Sequence, residues 1–115
     1  MKLVFAVCLL VSLCACDSAS LRKSDAELGL NAQQARGRHL YDRYCARCHE
    51  AYTTKSLQGP SLKDLYKKQY MPSGTPANDD RVRDVILLGR AKMQGFSQVL
   101  SQQDTEDLIA YLHTL

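Results

Sequence analysis

Hydrophobic and polar positions divide the chain into three stretches. From Leu3 to Leu13 the residues are nearly all apolar, with Ser12 the one polar exception. That run is shorter than the ~20 residues a membrane-spanning helix needs, and with Lys2 ahead of it the layout is that of a secretory signal. After Cys16 the chain turns polar through about Asn31. Ser18, Ser20, Arg22, Lys23, Ser24, Asp25 and Glu27 are poorly suited to a core, so this stretch reads as a tether, with Ser24-x-x-Glu27 able to start a short helix. Helical periodicity then takes over. Asn31, with Gln34 three residues on, reads as an N-cap, and Gly37, Leu40, Tyr41, Tyr44 and Cys48 fall on one helical face. Gly59-Pro60-Ser61-Leu62 marks a turn, and Ser61 is placed to cap a short helix to about Lys68. Residues 71–78 hold Pro72, Gly74 and Pro76 and read as loop. Asn78 or Asp79 caps the next helix, where Val82, Val85, Ile86 and Gly89 share a face and Gly89 suits the end. Ser101 caps a last helix with Asp104 near its N-terminal dipole and a stripe of Leu108, Tyr111, Leu112 and Leu115. No strand alternation and no internal repeat appear. The pattern predicts a signal over 1–15, a polar tether over 16–31 and an all-α domain over 32–115.

Composition adds one constraint. The chain has 115 residues, 45% of them hydrophobic, with no Trp and only two Phe. One small domain of this kind is marginal on its own burial, and a large buried cofactor would supply the missing apolar contact. The net charge of +3 comes from basic residues interspersed with acidic ones, which gives no support to nucleic-acid binding.

Of five cysteines, Cys8 and Cys14 lie in the signal. Leu13-Cys14-Ala15-Cys16 resembles the lipobox of bacterial lipoproteins: an apolar residue, a tolerant position, a small residue, then Cys. The resemblance implies cleavage before Cys16 and a diacylglyceryl thioether on it, which anchors the protein to a membrane. An ordinary cleaved signal and an uncleaved anchor are the alternatives. Asp17 resembles the inner-membrane retention signal of enteric-type lipoproteins. The implied location is the periplasmic face of a bacterial membrane.

Cys45 and Cys48 remain for the folded domain. Such a pair also suits a disulfide, a redox centre or half a zinc site. His49 decides the reading. Cys45-Ala46-Arg47-Cys48-His49 is the C-x-x-C-H haem-attachment motif. Each thiol adds to one of two vinyl groups on neighbouring pyrroles, which two intervening residues allow. The next residue then lies under the iron, where an imidazole Nε2 coordinates. A zinc site lacks its second ligand pair, because the other histidines after the signal are His39 and His113 on the terminal helices.

From roughly Ala35 to Leu115 the order of parts resembles a monohaem class I cytochrome c. Gly37 and Tyr41 match the family's Gly-x-x-x-aromatic pattern, and Tyr111 matches its aromatic near the C-terminus. The implied fold is a small cytochrome c with terminal helices crossing at Gly37 and Tyr111 around one haem. Gly59-Pro60-x-Leu62 matches the family's Gly-Pro-x-Leu, whose Pro carbonyl accepts a hydrogen bond from the haem histidine. Gly89-Arg90-Ala91-Lys92-Met93 resembles the approach to its axial methionine. The family commonly has Met-Pro, whereas Gln94 follows here, so Met71-Pro72 competes. Met93 is preferred because it follows the Val82–Gly89 helix.

The implied site is Cys45, Cys48, His49, Pro60 and Met93, with one covalent haem c and iron between His49 and Met93. That ligation favours a single-electron carrier and not an enzyme. The alternative is a haem protein with a displaceable sixth ligand, a gas sensor or peroxidase. Expected partners are redox proteins of an electron-transfer chain, docking on an exposed haem edge that Lys55, Lys63, Lys67, Lys68 and Lys92 would rim. The membrane is engaged through the lipid.

Overall fold

A computed structural model describes residues 23–115. The signal, Cys16 and most of the tether's first half lie outside the described residues. Three helices follow in order: α1 (Ala32–Tyr44), α2 (Asp79–Leu88) and α3 (Gln102–Leu112). Each begins at the residue its sequence marks. Asn31 accepts from the Gln34 amide while the Gln34 side chain accepts from the Asn31 amide, a complete capping box. Ser101 and Asp104 form the same box at α3, and the Asn78 side chain accepts from the Arg81 amide at α2. Such caps satisfy amides that the first helical turn leaves open, each contributing about 1 kcal/mol. Among the described residues no helix is long and apolar enough to cross a membrane.

The core forms where α1 meets α3. Tyr41, Leu108, Ile109, Tyr111, Leu112 and Leu115 are buried there with Val82 and Ile86 of α2. Gly37 sets how closely the first and last helices approach. A Cβ built on it would lie 1.9 Å from the Asp107 carbonyl oxygen and 2.8 Å from Tyr111 Cβ. One turn further on, the Tyr41 and Tyr111 rings meet with centroids 5.4 Å apart, tilted by 53°. Beside the glycine, the buried Asp107 carboxylate accepts from Arg36 Nε at 2.7 Å and Gln103 Nε2 at 2.8 Å. The Arg36 bond is the main reason this carboxyl sits below its ordinary range. It is a buried charge with its partners supplied.

α2 is fastened to the last helix at two points. Arg83 donates to Glu106 at 2.9 Å. His113, just past α3, is 2.7 Å from Asp79 through Nε2, and its ring stacks on Tyr66 at 3.7 Å and 15°.

Two departures from the sequence pattern have local causes. The helix expected from Ser61 to Lys68 shrinks to one 3₁₀ turn, Leu65–Lys67, because Asp64 enters the left-handed region at φ 58°. Ser61 instead donates its hydroxyl to the Thr53 carbonyl and accepts from the Lys63 amide. A small antiparallel ladder also joins β1 (Gly89–Arg90) to β2 (Met93–Gln94). Two-residue strands are too short to show the alternation by which a strand is recognised. The fold is therefore mostly helical, with one small two-stranded sheet.

The contact at Gly37 generates a prediction. Alanine in a helix interior is favoured over glycine by about 1 kcal/mol. Here its methyl would strike backbone that cannot rotate away, and overpacking of this kind costs about 3 kcal/mol. Gly37→Ala is expected to destabilise the holoprotein by about 2 kcal/mol net, measured as a lower midpoint in guanidinium unfolding. An unchanged midpoint would contradict the packing described.

Candidate haem-binding site

The last turn of α1 runs directly into the cysteine pair. Cys45 closes the helix by donating its amide to the Tyr41 carbonyl at 2.8 Å. The Cys48 and His49 amides both turn back to the Cys45 carbonyl at 3.0 Å. Residues 45–49 are thus one compact turn held to a rigid helix. Both cysteines are free and half-buried.

A second segment is laced to this turn. The Gly59 amide donates to the Cys48 carbonyl at 2.8 Å, and the Leu62 amide to the Glu50 carbonyl at 2.8 Å. Pro60 lies between them, its carbonyl oxygen 2.7 Å from His49 Nδ1. A carbonyl oxygen only accepts, so Nδ1 carries the imidazole proton and Nε2 keeps its lone pair. Gly59 lies against the same ring: a Cβ there would be 2.4 Å from His49 Cε1. The backbone of His49 is held too, because the buried Tyr41 donates its hydroxyl to the His49 carbonyl. Ring, tautomer and main chain of one histidine are therefore fixed by three different residues.

The thiols do not resemble a redox pair. Burial, with a smaller contribution from Cys48, pushes the Cys45 thiol up to about 12. A reactive Cys-x-x-Cys centre needs the opposite shift, toward thiolate. Cys48 donates to Gln58 Oε1 at 3.5 Å. Nor do the described residues gather three or more His, Cys, Asp or Glu as a metal-holding group, as a structural zinc site requires. Two neighbouring cysteines, free of a disulfide, beside an imidazole of fixed tautomer fit the demands of haem c. Cys45 and Cys48 could form the thioethers and His49 Nε2 could bind iron, with Pro60 orienting the ring.

Both candidate sulfur ligands are half-buried and pack on the apolar core. Met93 is presented by the β1–β2 hairpin, in which Arg90 pairs with Met93 across the two-residue turn Ala91-Lys92. Ala91 takes φ 52° there, a left-handed conformation that costs an L-residue about 1–2 kcal/mol. The chain beyond the hairpin is tied back to α2, with the Phe96 amide on the Ile86 carbonyl at 3.0 Å. Met71 lies in the 71–78 loop, its amide on the Thr75 carbonyl at 2.8 Å. Cys16 lies outside the described residues.

The sequence reading missed the Tyr41 hydroxyl, Gln58 and the Tyr52 hydroxyl, which meets that of Tyr111 at 2.7 Å. One signal was available. Tyrosine at a core position of a helix carries a hydroxyl that must find a partner, and at 41 that partner is the candidate iron ligand's own carbonyl.

Gly59→Ala tests the clamp. The methyl would push the His49 ring off the Pro60 carbonyl, so little mature holoprotein is expected, read as haem-stained protein on denaturing gels. Wild-type yield and an unaltered spectrum would show that the ring does not depend on this contact.

The family model described as cytochrome c oxidase, cbb3-type, subunit III matches residues 32–112. Comparison with curated proteins gives no match. The matched segment runs from the first residue of α1 to the last of α3 and contains the cysteine pair, His49, Pro60 and both methionines. The chain belongs to this cbb3-type subunit III family and is a monohaem cytochrome c.

Proposed function

We propose that this protein is a single-electron carrier with one covalent haem c, held at the periplasmic face of a bacterial membrane by a lipid on Cys16. The observation that carries the reading is the 2.7 Å contact between His49 Nδ1 and the Pro60 carbonyl. It leaves the Nε2 lone pair free for a metal and fixes the orientation of the ring. Cys45 and Cys48 form the two thioethers. Met93, presented by its hairpin, would hold the iron together with His49, and Gly37 would let the terminal helices cross closely beside the cofactor. Bound haem supplies a one-electron Fe(III)/Fe(II) couple. The protein's part is to hold two permanent ligands, so that little rearranges when the electron moves. A soft thioether also favours Fe(II) and raises the potential.

The family is one of electron transfer, and its description names an oxidase subunit. We read the partners as membrane redox proteins of a respiratory chain, with this chain a subunit or a mobile partner of such a complex. Residues 1–15 are the cleaved signal, and 32–115 the cytochrome domain. Lys55, Lys67, Lys68 and Lys92 are exposed and suit docking to an acidic face, which speeds association at low salt.

Attachment is tested by Cys45→Ala and Cys48→Ala. Either variant should yield little stable holoprotein, and the double variant should hold no haem through a denaturing gel. Full retention in the double variant would refute attachment at this pair.

The sixth ligand is tested by comparing two variants under one condition. Met93→Ala should lower the potential, abolish the methionine-to-ferric charge-transfer band and open the iron to cyanide or carbon monoxide. Met71→Ala should leave all three nearly unchanged. The reverse pattern would assign Met71 instead. Ready binding of these small ligands by wild-type protein at neutral pH would favour a sensor or peroxidase over a carrier.

A further inference from the structure

The second half of the tether is folded onto the domain. Residues 24–30 make one tight turn: the Leu28 amide donates to the Ser24 carbonyl at 3.1 Å, and the Leu30 amide to the Asp25 carbonyl at 3.0 Å. The turn opens on a capping interaction of its own, with the Ser24 amide and hydroxyl both 2.7 Å from Glu27 Oε2. It closes at Gly29, whose φ of +67° suits a chain reversal. Two groups of α1 then hold it. Arg38, buried on the helix, donates to Asp25 Oδ1 at 2.8 Å, and His39 Nε2 lies 3.2 Å from Asp25 Oδ2. The Asp25 side chain is only 30% exposed, and Leu30 packs against the apolar core. The cap holds the turn together, and an ion pair to a buried guanidinium and an apolar contact attach it to the domain at two separate points.

We propose that residues 24–30 are a clasp that shortens the membrane tether to residues 17–23, so that the domain exchanges electrons with an integral membrane protein whose redox group lies close to the bilayer surface. This rests on the reading of Cys16 as the lipidated residue. The consequence for reach follows from chain length. Seven residues extend at most about 25 Å, whereas the fifteen of 17–31 would extend about 50 Å. A carrier on the longer tether could serve a partner whose docking face stands well above the membrane. On the shorter one it is confined to partners whose face lies within its own width of the lipid, at a higher local concentration there.

The test uses lipidated, haem-loaded protein on a supported bilayer. Neutron reflectometry reads how far protein density extends from the headgroups, and amide hydrogen exchange reads the clasp. Wild type is compared with Asp25→Ala and with a seven-residue Gly/Ser insertion between Lys23 and Ser24. The proposal expects protected amides at Leu28 and Leu30 in wild type, exchanging at least tenfold faster in Asp25→Ala, with α1 amides unchanged as evidence that the domain stays folded. It also expects the protein layer of Asp25→Ala to spread outward as far as that of the insertion. Unprotected amides in wild type overturn the clasp. An Asp25→Ala layer as thin as wild type, beside a broadened insertion layer, overturns its control of reach. Should mass spectrometry find no lipid on Cys16, the anchor reading and the membrane height fall together, while the exchange result still decides whether the clasp exists.

Discussion

Two helix backbones can approach closely only where one of them has no side chain, and in this protein that place is Gly37. Its missing Cβ lets the Asp107 carbonyl and the Tyr111 side chain occupy the space. The approach brings the Tyr41 and Tyr111 rings together and buries Asp107 beside Arg36 and Gln103. The site inherits this constraint. α1 ends in the cysteine pair, and Tyr41, fixed by the contact with α3, is the residue that holds the His49 carbonyl. A shift of α1 against α3 would therefore move the histidine as well as the core.

The domain is short of large apolar side chains, and its tyrosines do part of the work of a core while keeping their hydroxyls paired. Tyr41 reaches His49, and Tyr52 meets Tyr111. Burial pushes the ionisation of Tyr41 and Tyr111 to higher pH, so both stay neutral across the physiological range. The hydroxyl of Tyr66 is buried beside the Asp79 carboxylate; burial first, and that carboxylate second, push its ionisation to higher pH, while its ring stacks on His113. A bound haem would complete this core, adding flat apolar area where the protein has few rings of its own.

Much of the fold was legible because its punctuation is local. Asn31 with Gln34, Asn78, Gly89 and Ser101 with Asp104 act on amides and carbonyls within a turn of themselves, so their identity alone places helix ends. His49 was named from the C-x-x-C-H spacing and Pro60 from the resemblance to the cytochrome c family, and their 2.7 Å contact is a matter of backbone geometry between two short segments. What escaped depends on distant or conformational facts. Asp64 takes a left-handed φ that a nearby Ser61 cap gives no hint of. The β1–β2 ladder is two residues long on each side. The Arg38–Asp25 pair joins a helix to a stretch whose polar composition suggested a tether and gave no sign of this partner.

The pairing of Arg36 with Asp107 spans seventy-one residues, and the Gly37 contact spans a similar distance. A ribosome makes the chain from its N-terminus, so neither can form until α3 has been synthesised. α1 alone is too short to be stable in water, and the turn that shields Cys45 and Cys48 hangs from it. The thiols therefore stay open for most of the time the polypeptide is being made. Because the helix partner comes last, the cysteine pair is accessible to chemistry until α3 docks on α1.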